Sequence, residues 1–164
     1  MNHNAATFAA MRQQIAAQLQ QVGIDARSAE FEAAWMLEEA FGKNKFQLSL
    51  DKNLEFTATV EAYLNELTTR RLKREPLQYI LGKAYFMDLE LFVSPDVLIP
   101  RPETEIMVEA IIRDLPPGGR LIDVGCGSGA IGLAVAQARS DAQVLEVDIS
   151  TAALNVAQRN CAKY

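Results

Sequence analysis

Histidine is almost absent: His3 is the only one in 164 residues. Within this chain that excludes Ser-His-Asp and Cys-His catalysis and histidine-based metal sites. Cysteine is scarce as well. Cys126 and Cys161 are the only two, and their spacing suggests neither a zinc site nor a disulfide framework. No apolar run approaches the roughly 18–20 residues that span a bilayer. The opening segment MNHNAATFAAMRQQ lacks the basic stretch and apolar core of a secretory signal. Basic excess is missing too, since 16 Lys and Arg stand against 21 Asp and Glu, a formal net charge of −5. That balance argues against broad electrostatic binding to nucleic acid. The expectation is a cytoplasmic protein with no metal, no membrane association and no direct nucleic-acid contact.

What is present is the composition of a globular protein, 49% hydrophobic and 23% charged. Residues 1–75 read as a helical domain. Phe8, Met11, Ile15, Leu19 and Val22 recur at spacings of three and four, one apolar helical face ended by Gly23. Asp25 suits the N-cap of a second helix that carries Phe31, Ala34, Trp35 and Phe41 inward and stops at Gly42. A third is expected from near Thr57 to Arg74, with Val60, Leu64 and Leu67 inward, ending before Pro76. Together they predict a small bundle.

The rhythm changes at Pro76. Met87, Leu89, Leu91 and Val93 alternate with other residues at a period of two. With Leu77 to Leu81 before and Val97 to Ile99 after, residues 76–100 read as a β-hairpin linker. A helix is expected from Pro102, with Glu103 and Glu105 in its first turn, to about Leu115. From Arg120 the order is strand (Leu121 to Val124), glycine loop, helix (Ala130 to Ala138), strand (Val144 to Val147) and helix (Thr151 to Lys163). Residues 101–164 thus read as the start of a parallel α/β sheet, a truncated Rossmann-like domain.

The chemistry concentrates in Asp123-Val-Gly-Cys-Gly-Ser-Gly129. Three glycines alternate between a strand and a helix, allowing positive φ and close approach of a ligand to the backbone. Asp148 ends the next strand, where an acidic side chain grips ribose hydroxyls in mononucleotide-binding folds. Gly127-Ser-Gly129-Ala-Ile-Gly132 also satisfies the dinucleotide pattern, so a nicotinamide or flavin enzyme is the competing reading. Asp123 separates the two. A carboxylate before the first glycine repels a pyrophosphate but attracts the ammonium and sulfonium of S-adenosylmethionine. The cofactor-binding candidates are Asp123, Gly125, Cys126, Gly127, Ser128, Gly129 and Asp148.

Three segments carry a resemblance: PLQYILG (76–82), VLIPRPETE (97–105) and DVGCGSGAIGLAVA (123–136). The chain resembles, along its whole length, the N-terminal part of the HemK family of peptide chain release factor N(5)-glutamine methyltransferases. Sister enzymes that methylate a ribosomal protein typically carry Ser-Pro after the arginine of the second segment, where this chain has Pro102-Glu103. The resemblance implies methylation, from S-adenosyl-L-methionine, of the glutamine side-chain nitrogen in the Gly-Gly-Gln motif of release factors. The alternatives are a ribosomal-protein glutamine methyltransferase and, from another class, an NAD-dependent oxidoreductase. The family's Asn-Pro-Pro-Tyr motif, which grips the substrate amide, has no counterpart in this sequence. No catalytic residue is therefore assigned, and the chain is expected to be inactive alone.

Weaker signals receive structural readings. The basic run Arg70, Arg71, Lys73 and Arg74 is expected to be a solvated last helical turn. Trp35, Phe31 and Phe41 are expected in the core. Cys126 is read as a small residue tolerated in the loop, and Glu146 and Asp148 are not expected to work as an acid/base couple.

Overall fold

The computed structural model describes residues 7–51 and 53–164; His3 lies outside them. The chain divides into two compact units, Met1–Leu81 and Gly82–Tyr164.

The first unit is helical, and its caps are legible locally. Helix α1 (Phe8–Gln21) starts at Thr7, whose hydroxyl accepts the Ala10 N–H at 3.2 Å. Helix α2 (Ala26–Phe41) starts at Asp25, which accepts the Ser28 N–H, and ends at Gly42 with φ of 60°. There the left-handed conformation favours glycine. Helix α3 (Lys45–Leu50) is short and opens with a reciprocal capping box between Asn44 and Gln47. Helix α4 (Ala58–Leu72) is capped by Thr57, and helix α5 (Leu77–Leu81) closes the unit. Phe8, Ile15, Leu19, Ala34, Trp35, Leu64 and Leu67 reach the core as their spacing predicts. Phe31 does not. It is 64% exposed, stacked edge-on against Trp35 with centroids 5.9 Å apart, because it falls on the edge of the apolar stripe of α2.

Two further expectations are corrected here. Leu77–Leu81 is a helix, not an arm of the hairpin: Leu77 and Ile80, three residues apart, are both buried in the helical core. The basic run is not a solvated turn. Arg71 makes a paired ion bridge to Glu32 at 2.6 and 3.1 Å with both side chains largely buried, 13% and 15% exposed. Arg70 pairs with Glu75, and the Arg74 guanidinium donates to the Val22 carbonyl at 2.9 Å. Three of the four cations thus tie α4 to neighbouring segments of the unit.

The second unit opens with an antiparallel hairpin, β1 (Lys83–Phe86) and β2 (Leu89–Phe92), in the register Lys83↔Phe92 to Phe86↔Leu89. Its two-residue turn puts Met87 at φ 49°, and the Met87 N–H donates to Glu105 Oε1 at 2.8 Å. Glu105 belongs to helix α6 (Pro102–Asp114), so one acidic side chain of the PETE segment fixes the hairpin turn. Next come β3 (Arg120–Val124), helix α7 (Ala130–Ala138), β4 (Gln143–Val147) and helix α8 (Thr151–Cys161). Strands β3 and β4 pair in parallel, Arg120↔Gln143 through Val124↔Val147. Leu121 and Val144 pack with Val108, Leu133, Val135 and the hairpin residues Phe86 and Leu91. The opposite face shows Ile122, Val124, Leu145 and Val147 to solvent.

Candidate functional site

The turn between β3 and α7 is built by three left-handed glycines: Gly125 (φ 80°), Gly127 (φ 55°) and Gly129 (φ 77°). They do different work. Around Gly125 and Gly127 no atom lies within 4 Å of where a β-carbon would be, so backbone faces open space there. Gly129, the N-cap of α7, is packed: a β-carbon would come within 2.9 Å of Glu146 Oε2 and 3.3 Å of Ala157 Cβ.

The amide hydrogens of the turn are largely spent inside the protein. Those of Gly125 and Cys126 donate to the Val147 carbonyl at 2.7 and 3.1 Å, and that of Gly129 to the Cys126 carbonyl at 2.8 Å. The Gly127 N–H donates to Asp148 Oδ2 at 2.9 Å. Asp148 lies one residue past β4, and its other oxygen accepts the Ser150 N–H at 2.9 Å. The two amides, Ser150 first and Gly127 next, hold its carboxyl below the usual range.

Asp123 is buried, 8% exposed, on the covered face of β3. Burial pushes its pKa up, while the Gly132 N–H in the first turn of α7 favours its charged form. Its Oδ2 is buried without a hydrogen-bond partner. Its register partner on β4 is Glu146, a residue absent from the sequence-based candidates. Glu146 Oε1 is likewise buried and unpartnered. Burial, then Asp123, raises the Glu146 pKa to about 7. Glu146 and Asp148 sit in different surroundings: Glu146 lies on β4, while Asp148 lies beyond the strand and accepts two amides.

The remaining candidates fall around this turn. Ser128 is buried, and its carbonyl accepts from Asn160 Nδ2 at 2.8 Å. Asn160, 1% exposed, also pairs with both backbone groups of Phe92, at 2.7 and 2.9 Å. It therefore ties α8 to the hairpin and to the glycine turn. Cys126 is buried, and burial followed by the charges of Glu146, Asp148 and Asp123 pushes its thiol up to about 11. At neutral pH it is an unreactive thiol. Among the described residues no group of three or more His, Cys, Asp and Glu is placed to hold a metal. No helix among them is long and apolar enough to cross a membrane.

Such a site suits a cation better than a phosphate. A phosphate-binding turn aims free amides at its ligand, and here four are consumed. Three carboxylates, on Asp123, Glu146 and Asp148, lie at or beneath the turn. The backbone at Gly125 and Gly127 faces open space, so a ligand has room to approach it.

Two family models match the chain. Residues 10–82 match the PrmC N-terminal domain family, and residues 102–164 match the methyltransferase small domain family. The chain thus carries a PrmC N-terminal domain followed by part of a methyltransferase small domain. It is similar to proteins named release factor glutamine methyltransferase from several bacteria. The Geobacter sulfurreducens protein is 39% identical, over 84% of this chain and 48% of that protein. The Neisseria gonorrhoeae protein is 42% identical, over 81% and 49%. That of Escherichia coli is 38% identical, over 79% and 47%. The chain therefore spans about half the length of the curated relatives it matches. The matched ranges correspond to the helical first unit and to the strands and helices that open the methyltransferase domain.

Proposed function

We propose that the turn Asp123–Gly129 and Asp148 hold S-adenosylmethionine, and that this chain is the cofactor-side part of a release-factor glutamine methyltransferase. The acceptor would be the side-chain nitrogen of the glutamine in the Gly-Gly-Gln motif. One observation carries the reading. The amides of Gly125, Cys126, Gly127 and Gly129 are bonded internally, while carboxylates flank the turn. A dinucleotide's pyrophosphate needs the reverse arrangement, so the oxidoreductase reading is the weaker one. The names of the relatives support a release-factor glutamine as acceptor, and the Gly-Gly-Gln motif is what the resemblance implies.

When bound, S-adenosylmethionine supplies an electrophilic methyl group on a sulfonium. The chain's own residues do the rest. Asp148 is oriented by Gly127 and Ser150 and keeps carboxylate lone pairs for ribose hydroxyls. Asp123, beneath the turn, sets a negative potential that a sulfonium and an ammonium find favourable. Gly125 and Gly127 permit backbone contact. An amide nitrogen is a poor nucleophile and must be held in line with the methyl–sulfur bond. The sequence contains no Asn-Pro-Pro-Tyr tetrad, so none of the residues named here is given that task.

Calorimetric titration with S-adenosylmethionine, S-adenosylhomocysteine and NADH tests the reading. The adenosyl ligands should bind, and Asp148→Asn should weaken them by about 10- to 100-fold through lost charge-assisted hydrogen bonds. Binding of NADH alone would overturn it.

A further inference from the structure

Asp123 and Glu146 are register partners on adjacent parallel strands, where backbones run about 4.8 Å apart. Both project to the face covered by α7. Like charges directly opposite each other on a sheet destabilise it. Each residue also has one buried oxygen with no hydrogen-bond partner, Oδ2 of Asp123 and Oε1 of Glu146, and Asp123 is more than nine-tenths buried.

The surroundings offer no positive charge. Helix α7 presents Gly129 and Gly132 to Glu146 and contains no ionisable residue at all. Helix α8 presents Ala157 and the Cys161 thiol, 3.9 Å from Glu146 Oε2. The turn contributes the neutral Cys126 thiol and the Asp148 carboxylate, whose charge also raises the Asp123 pKa. Among the described residues no lysine or arginine pairs with either carboxyl. Two ionised carboxylates here would be uncompensated, so the pair requires either a proton or an external cation.

We propose that Asp123 and Glu146 share one proton in the ligand-free protein and release it to solvent when a cation settles on the glycine turn. The pair thereby favours a sulfonium ligand over its neutral thioether counterpart. The second statement rests on the cofactor reading above; the first does not. In the ligand-free state the proton resides on Glu146, since only Asp123 has an amide, that of Gly132, to favour its anion. Protonation then removes the Glu146 charge from beside the Asp123 carboxylate, whose field is the second cause of the raised Glu146 pKa. The raised pKa of Glu146, near 7, agrees with this arrangement. Gly132 is what makes room for it, because a β-carbon there would overlap Glu146 Oε1.

The test has two arms, both on the whole chain. In the first, carboxyl carbon resonances are followed by NMR against pH without ligand. Glu146 should titrate with a midpoint near 7, and Asp123→Asn should move that midpoint down. A Glu146 midpoint in the ordinary glutamate range, unmoved by Asp123→Asn, overturns the shared proton. In the second arm, calorimetry at pH 7 in buffers of different ionisation enthalpy counts protons released by S-adenosylmethionine and by S-adenosylhomocysteine. The former should release more, and Glu146→Gln should abolish the difference. At pH 8 the same variant should cut the preference for the sulfonium ligand by roughly three- to tenfold, the effect of one charge about 8 Å away at an effective dielectric of about 40. Equal release by the two ligands, or a difference that survives Glu146→Gln, overturns the coupling. Failure of both ligands to bind refutes the cofactor reading and the coupling with it, while the first arm still decides the shared proton.

Discussion

Replacing Gly132 by alanine tests whether the glycine is there for the helix or for the carboxyl beside it. The backbone of Gly132 is ordinary helix, outside the left-handed region. On propensity alone alanine should stabilise α7 by about 0.5–1 kcal/mol. The new β-carbon, however, would overlap Glu146 Oε1 and lie 3.0 Å from both Glu146 Cγ and Val144 Cγ1. Glu146 must swing away from Asp123 and Val144 must give slightly, an overpacking cost of about 1–3 kcal/mol. The expected net at pH 6 is a loss of about 1 kcal/mol. In a Glu146→Ala background the carboxyl is gone, and Gly132→Ala should be close to neutral. The cycle should therefore give a coupling of about 1–2 kcal/mol. Urea unfolding is the assay, followed through amide resonances of α7, because the only tryptophan, Trp35, lies in the other unit. If Gly132→Ala stabilises equally in both backgrounds, the packing argument fails.

The pH dependence of stability follows from the same carboxyl. The pKa of Glu146 rises from 4.5 to about 7 in the fold, so the folded state keeps a proton that the unfolded state has lost. Its contribution is fully present below about pH 4.5, declines as pH rises through 7, and is absent above. The full shift corresponds to roughly 3 kcal/mol; discounted for solvent screening of a half-buried group, about 1–2 kcal/mol should be lost between pH 5 and 8.5. Urea midpoints at the two pH values measure the loss, and Glu146→Gln should flatten it. Asn160→Ala should cost about 2–4 kcal/mol, since it strands both backbone groups of Phe92 and the Ser128 carbonyl; an undiminished urea midpoint for the α8 amides would refute this. Arg71→Met should destabilise the helical unit by about 2–3 kcal/mol by leaving Glu32 unpaired. Adding Glu32→Leu should recover most of that, with Trp35 fluorescence as the probe.

Local chemistry made much of this fold legible. Helix α7 is expected and found over Ala130–Ala138, because glycine punctuation and an apolar run are both visible in a short window. Asp25 caps as read, and the helix expected from near Thr57 starts there, with Thr57 as its N-cap. Helix α3 was missed although the capping box from Asn44 to Gln47 is a readable signal; its six residues are too few for a clear period. The basic run misled for another reason. Arg71 finds Glu32 across 39 residues of sequence, a pairing that no local pattern shows. The same limit hid Glu146. Two carboxyl groups 23 positions apart become neighbours only once the parallel register is known.

The two faces of the β3–β4 pair give this register its meaning. One face shows Ile122, Val124, Leu145 and Val147 to solvent, 41–79% exposed, although parallel sheets are ordinarily covered on both sides. The other carries Leu121, Asp123, Val144 and Glu146 under α7. The strand period of two therefore separates the apolar face from the acid pair. Whatever covers the first face alters the dielectric around the sheet but does not add a charge beside Glu146, whose near neighbours come from α7, α8 and the turn. The proton held between Asp123 and Glu146 is thus a property of residues that this chain supplies itself. The ribose contact proposed for Asp148 is different. Asp148 lies at the open end of the sheet, next to the fully exposed Ile149, where its hold on a ligand is screened by water. Within one turn, the preference for a cation proposed above rests on the covered acid pair, and the proposed grip on a nucleoside rests on the half-buried Asp148.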